Sequence, residues 1–151
     1  MKISTKGRYA LEAVLDIAVN AGVGGPVNIK GIAARNGISE NYLEQLFVIL
    51  RRKGIVESTR GALGGYRLAK PSGDISAGEV IRAVEGTLSP VACADERAGR
   101  KTCGRYEDCA TRLLWKRMTD AMNGAADSVS IAELAECHDR MNLYEVIEYF
   151  I

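Results

Sequence analysis

Three cysteines, Cys93, Cys103 and Cys109, fall within seventeen residues of one another. Nine residues separate the first pair and five the second, and the stretch holds Gly99 and Gly104 before it runs into an amphipathic segment. Thiolates are the usual ligands of iron–sulfur clusters, and a glycine-containing loop can fold around a cluster while its last cysteine sits at a helix end. The partial positive charge of a helix N-terminus also favours the thiolate form. The same spacing fits zinc with a fourth ligand, or reactive thiols without metal, and chemistry alone leaves all three open. A disulfide framework does not suit a chain read as cytoplasmic. The fourth cysteine, Cys137, adjoins the only histidine, His138. That pair reads as a buried cysteine near the end of a short helix beside a surface histidine.

A second group of residues suits a polyanion. Ser39, Asn41, Tyr42, Glu44 and Gln45 follow a glycine turn and open a helical pattern. Base edges in the DNA major groove are read by short polar side chains on the N-terminal turns of one helix. The Gln45 amide suits adenine, whereas Glu44 can accept from the cytosine amino group or repel wrong sequences. Further on, Arg60 and Gly61 open a loop, and Arg60 has the reach and charge for a narrow A·T minor groove.

The elements that position these residues follow from periodicity. Ala10, Leu11, Val14, Ile17, Ala18 and Ala21 mark one face of a first helix, which Gly22–Pro26 ends. A short helix covers 29–36, and Gly37-Ile38-Ser39 makes the corner with Ser39 as N-cap. The next helix, 40–53, buries Leu43, Leu46, Phe47 and Leu50. A strand over 55–59, a loop over 60–65 and a return strand over 66–68 form a hairpin behind this helix-turn-helix, which is a wing. Ser76-Ala77-Gly78-Glu79 is a capping box for a helix to Glu85. After the polar loop 87–108, a long helix from Cys109 to about Ala125 carries Thr111, Trp115, Met118, Met122 and Ala125 at coiled-coil spacing. A second capping box, Ser130–Glu133, starts a short helix, and the tail 142–151 reads as helix or strand. The fold class expected is mainly α with a small β-hairpin wing: a winged helix-turn-helix domain plus a long dimerisation helix.

Composition narrows the function classes. With 47% hydrophobic residues the chain is not mainly disordered, and no apolar run is long enough to span a membrane. The N-terminal residues lack a signal core, which points to the cytoplasm. The net charge of +1 conceals a division: residues 1–70 carry eleven Lys/Arg against five Asp/Glu, and residues 71–151 carry nine against fourteen. A basic half suits a polyanion and an acidic half another task. No nucleophile–base pair, phosphate loop or paired-carboxylate motif appears, so an enzyme with a small-molecule substrate is not expected.

Lys6-Gly7-Arg8-Tyr9-Ala10, Ile38-Ser39 with Tyr42–Phe47, Arg60-Gly61 with Gly64-Gly65-Tyr66, and Gly78–Ile81 together resemble the IscR-type family of bacterial transcription regulators. The similarity runs over residues 1–135. It implies a homodimer on a pseudo-palindromic operator, base reading by Tyr42–Gln45, Arg60 in the minor groove, and a part for Glu44 in choosing between operator types. It also implies an iron–sulfur cluster on Cys93, Cys103 and Cys109, 2Fe–2S ahead of 4Fe–4S, because the family keeps three cysteines ahead of a Leu-Trp helix, here Leu114-Trp115. One departure matters. A histidine ligand three positions after the last cysteine in the best-known members is Arg112 here, and a protonated guanidinium cannot ligate metal. The nitric-oxide-sensing branch takes an aspartate from the partner's first helix, at a position that is Arg8 here. Glu107, Asp108, Cys137, His138 or a partner group remain for the fourth place. The expected organisation is a winged helix over 1–86, a cluster loop over 87–108, a dimerisation helix over 109–127 and a C-terminal helix and tail over 128–151. The alternative is a cluster-free regulator of the same fold that senses through thiols or a metabolic enzyme partner.

Overall fold

The computed structural model describes residues 3–22, 24–95, 97–98 and 103–149, with the side chains of 144–149 excepted. Helices α1 (Thr5–Asn20), α2 (Ile29–Asn36) and α3 (Glu40–Arg52) precede strands β1 (Val56–Thr59) and β2 (Gly65–Leu68). Helices α4 (Ala77–Glu85), α5 (Arg112–Asp127) and α6 (Ile131–Tyr149) follow, with short 3-10 turns at Ser72–Asp74 and Ala92–Ala94.

Local chemistry sets most of the boundaries. Each helix start leaves backbone N–H groups without an intrahelical acceptor, and a side-chain oxygen supplies one. Ser4 accepts from Lys6 and Gly7, Asn28 from Gly31, Ser39 from Tyr42, and Ser76 from Glu79. Ser130 accepts from the Glu133 N–H at 3.1 Å. Gly37 ends α2 at φ +63°, a left-handed conformation that costs a glycine little and lets the chain turn at once into α3.

The apolar faces of α1, α2, α3 and α4 meet in one core in which Val14, Ile17, Ile32, Leu43, Phe47 and Val80 are completely buried. The expected core positions Leu43, Leu46, Phe47 and Leu50 are all buried. A polar clamp borders this core. Buried Asp16 of α1 accepts from Arg35 Nε at 2.8 Å and Arg35 Nη2 at 2.6 Å, and from the Asn36 amide at 2.9 Å. It locks the angle between α1 and the helix-turn-helix.

β1 and β2 pair antiparallel from Val56↔Leu68 to Thr59↔Gly65. Val27 adds a short third rung, exchanging two 2.8 Å backbone hydrogen bonds with Tyr66. The strands start one residue later and earlier, respectively, than periodicity indicates, because the Ile55 N–H still donates to Leu50 in the turn that leaves α3 and Gly65 already pairs with Thr59.

Two expectations change. α5 begins at Arg112 rather than Cys109, because residues 109–114 wind first through tighter turns: Arg112 N–H to Cys109 C=O at 3.1 Å, and Leu114 N–H to Thr111 C=O at 3.0 Å. The C-terminal segment is one helix, α6, through Tyr149, with no glycine or proline between 131 and 149 to stop it. The last residues of the tail, 150–151, lie outside the described residues. No helix among the described residues is long and apolar enough to cross a membrane.

Asp16→Ala removes the acceptor of both Arg35 and Asn36. Since Arg35 is partly solvated and can return to water, the expected loss is about 2 kcal/mol of unfolding free energy. Urea denaturation should show a lower midpoint at unchanged slope.

Candidate nucleic-acid interface and cysteine loop

α3 buries one face and leaves the other bare. Asn41, Glu44 and Gln45 are exposed along its outer side. Ser39 is exposed too, with its hydroxyl oxygen accepting from the Tyr42 N–H at 3.3 Å, so its first task is the cap. Tyr42 is half-buried, its ring standing edge-on to Tyr9 of α1 at 5.8 Å. Of the expected base-reading residues it is the one that also packs. Val48, three residues beyond Gln45, is 42% exposed and extends the same face. Sequence reasoning misses it because a valine in an amphipathic helix carries no surface signal.

The wing is fixed to this helix from both sides. Tyr66 of β2 stacks on Phe47 of α3 with ring centroids 4.0 Å apart, and Arg51 at the end of α3 donates to the Ser58 hydroxyl of β1 at 3.0 Å. On the outer surface of the hairpin, Arg67 donates twice to Glu57 Oε2, at 3.0 and 2.8 Å. The tip is narrow. A Cβ on Gly64 would lie 2.4 Å from the Thr59 carbonyl oxygen, and one on Gly65 would lie 2.3 Å from that of Val27. Gly61 has φ +110°, open to glycine alone in practice. Arg60 and Gly61 are exposed at this tip, together with Leu63.

The 3-10 turn that carries Cys93 packs against α5. Cys93 sits in the 3-10 turn and lines a pocket of about 130 Å³ with Asp95, Tyr106, Arg112 and Lys116. Cys93, Cys103, Cys109 and Cys137 are all half-buried free thiols. Among the described residues no three His, Cys, Asp or Glu side chains form a group that could hold a metal ion. The three loop thiols are therefore present but not gathered. Cys109 Sγ lies 3.2 Å from the Thr111 hydroxyl. That hydrogen bond, with the Arg112 N–H, holds the thiol below its usual pKa. Arg112 lays its guanidinium 4.0 Å over the Tyr106 ring, so the position that departs from the relatives carries a packed cation.

Of the candidates for a fourth ligand, Glu107 and Asp108 are exposed in the loop. His138 faces elsewhere, lining a pocket of about 210 Å³ with Glu12, Asp16, Arg35 and Asn36. The expected seam of α5 also divides. Trp115 and Met122 are half-buried against their own chain, while Leu114, Met118, Ala121 and Ala125 are exposed at four- and three-residue intervals. Thr119 is buried beside Ser89, and Arg82 of α4 holds Asn123 and Asp127, which sets which face of α5 points inward.

The family described as "Rrf2: Iron-dependent Transcriptional regulator" matches residues 3–137. The chain belongs to the Rrf2 family. Among its relatives are proteins called HTH-type transcriptional regulator IscR from Enterobacter sp. (strain 638) and Citrobacter koseri. Each is 42% identical over 134 residues, which is 89% of this chain and 79% of the relative. Similar solved structures include CymR (YrzC), the global cysteine regulator of B. subtilis, with TM-score 0.73 and 42% identity over 90% of this chain and 97% of that one. T. potens IscR has TM-score 0.73 and 37% identity over 91% and 88%. This Rrf2 protein is a DNA-binding transcriptional regulator, and its six helices and hairpin have the winged-helix fold of those structures.

Thr111→Val removes the hydroxyl that faces Cys109. Because that contact favours the thiolate, the pH profile for alkylation of Cys109, followed by peptide mass mapping, should move to higher pH while Cys137 keeps its own profile.

Proposed function

We propose that this Rrf2 regulator binds a pseudo-palindromic DNA operator as a homodimer and that an iron–sulfur cluster on Cys93, Cys103 and Cys109 sets its affinity. The observation that carries the DNA reading is the bare face of α3 joined rigidly to the wing. Asn41, Glu44 and Gln45 are exposed together, and the Phe47–Tyr66 stack and the Arg51–Ser58 bond hold Arg60 and Gly61 in a constant relation to them. In this reading α3 enters the major groove with Ser39, Asn41, Tyr42, Glu44 and Gln45 towards the bases, and Arg60 enters the adjoining minor groove. Val48 offers an apolar contact for a thymine methyl group. The exposed Leu114–Met118–Ala121–Ala125 stripe of α5 suits a second copy, antiparallel or parallel, and places two recognition helices on one duplex. Residues 1–86, 87–108, 109–127 and 128–151 then serve as reader, sensor loop, dimer helix and C-terminal support, in the cytoplasm.

The donor types fit a cluster: three half-buried thiols on one loop, one of them already biased towards the thiolate. Binding has to draw them together, and that rearrangement is what would make the loop a sensor. A bound cluster would supply an iron- and oxidant-sensitive crosslink of the loop, 2Fe–2S ahead of 4Fe–4S. Arg112 contributes charge but no ligand, so the fourth place falls to Glu107, Asp108, Cys137 or a partner group. A cluster that the chain ligates incompletely is labile, which suits a sensor of cluster supply. The Cys109–Thr111 contact also favours a second reading, in which thiol oxidation acts without metal, as does likeness to the cysteine regulator CymR.

Anaerobic reconstitution with iron and sulfide separates the two. The cluster reading expects visible absorbance and bound iron that disappear in Cys93→Ala, Cys103→Ala and Cys109→Ala; background iron alone would sink it. For the DNA interface, affinity should fall steeply with salt, and Arg60→Ala should reduce the slope of log K against log salt by about 1. Leu114→Glu with Met118→Glu should turn a dimer into a monomer in sedimentation analysis.

A further inference from the structure

Leu63 stands at the wing tip with 90% of its surface exposed, the most of any large apolar side chain among the described residues. Single exposed leucines are ordinary on protein surfaces. This one differs in its mounting. It lies three residues from Arg60, in a loop closed by the Gly64 N–H to Gly61 C=O hydrogen bond at 2.9 Å and by glycines with no room for a side chain. The hairpin beneath is pinned to α3 through Tyr66 and Ser58 and to Val27 through two backbone bonds. An apolar group on so firm a support is delivered wherever Arg60 is delivered.

Resting on the reading of the wing as a minor-groove element, we propose that Leu63 is a specificity-determining residue that selects base pairs lacking the guanine 2-amino group. The minor-groove floor presents acceptors at every base pair and a donor only at G·C. An isobutyl group pressed there covers the donor without pairing it, which is unfavourable, whereas it covers an A·T pair without stranding a donor. Arg60 supplies attraction that follows groove width and phosphate charge, and Leu63 supplies exclusion. Apolar side chains that meet minor-groove base steps are a general means of reading this groove.

The test uses the full chain and duplexes it selects from a random-sequence pool. Hydroxyl-radical footprinting locates the minor-groove positions protected by the wing. A·T pairs there are replaced by G·C or by inosine·C, which has the major-groove edge of G·C but lacks the 2-amino group. The wild-type protein should bind the G·C duplex about tenfold more weakly and recover on inosine·C. Leu63→Ser, whose fold circular dichroism checks, should narrow that difference to about threefold or less without changing the salt slope. Arg60→Ala should lower the salt slope and keep the difference. A wild-type protein indifferent to the 2-amino group, or a Leu63→Ser variant that keeps the whole difference, overturns the assignment while leaving DNA binding intact. Failure to select any duplex overturns the DNA reading itself.

Discussion

The stack of Tyr66 on Phe47 is the contact on which the reading surface depends. Phe47 is completely buried at the centre of α3, and Tyr66 comes from the strand that returns from the wing. Two flat rings 4.0 Å apart leave little freedom for the hairpin to swing away from the helix. Tyr66 also carries the backbone bonds to Val27, so one residue joins α3, the wing and the segment that leads into α2. Together with the Arg51–Ser58 hydrogen bond it keeps the outer face of α3 and the tip at Arg60 in one relation.

α4 connects that body to everything beyond it. Glu85 at its end accepts from the Gly7 N–H of α1 at 3.0 Å and also pairs with the Ser4 hydroxyl. Arg82, one turn earlier, holds Asn123 and Asp127 of α5. At its start, Ala77 N–H bonds to the Val129 carbonyl while Ile131 N–H bonds to that of Ile75, which lashes the α5–α6 corner to the winged helix. The seating of α5 is therefore fixed by side chains and backbone groups of α4 and of the segment before it. The cysteine loop lies at the other end of α5, where Thr111 engages Cys109 and Arg112 covers Tyr106.

Much of this was legible in order of residues because it is local. Serine caps at 39, 76 and 130, the left-handed Gly37, the apolar spacing of α1 and α3 and the hairpin behind them each depend on neighbours within a few residues. The family strings lie on those same elements, which is why fold and family were recognisable together. Besides one-residue shifts at the strand starts, the boundaries that moved were those without a local stop: the start of α5, where the Thr111 side chain serves a thiol instead of a cap, and the long run of α6.

The sequence by itself determined that this is a winged-helix regulator, that Asn41, Glu44 and Gln45 share one helix face, and that three thiols occupy one loop. Periodicity and capping decide such matters through bonds within a single element. Only the tertiary structure decided that Leu114 rather than Trp115 leads the free face of α5, that Val48 and Leu63 are offered to solvent, that His138 lines a pocket with Asp16 and Arg35, and that the thiols stand apart. Those outcomes depend on which surfaces of distant elements press together, and the rotation of a helix about its own axis is set by its packing partners, not by its spacing.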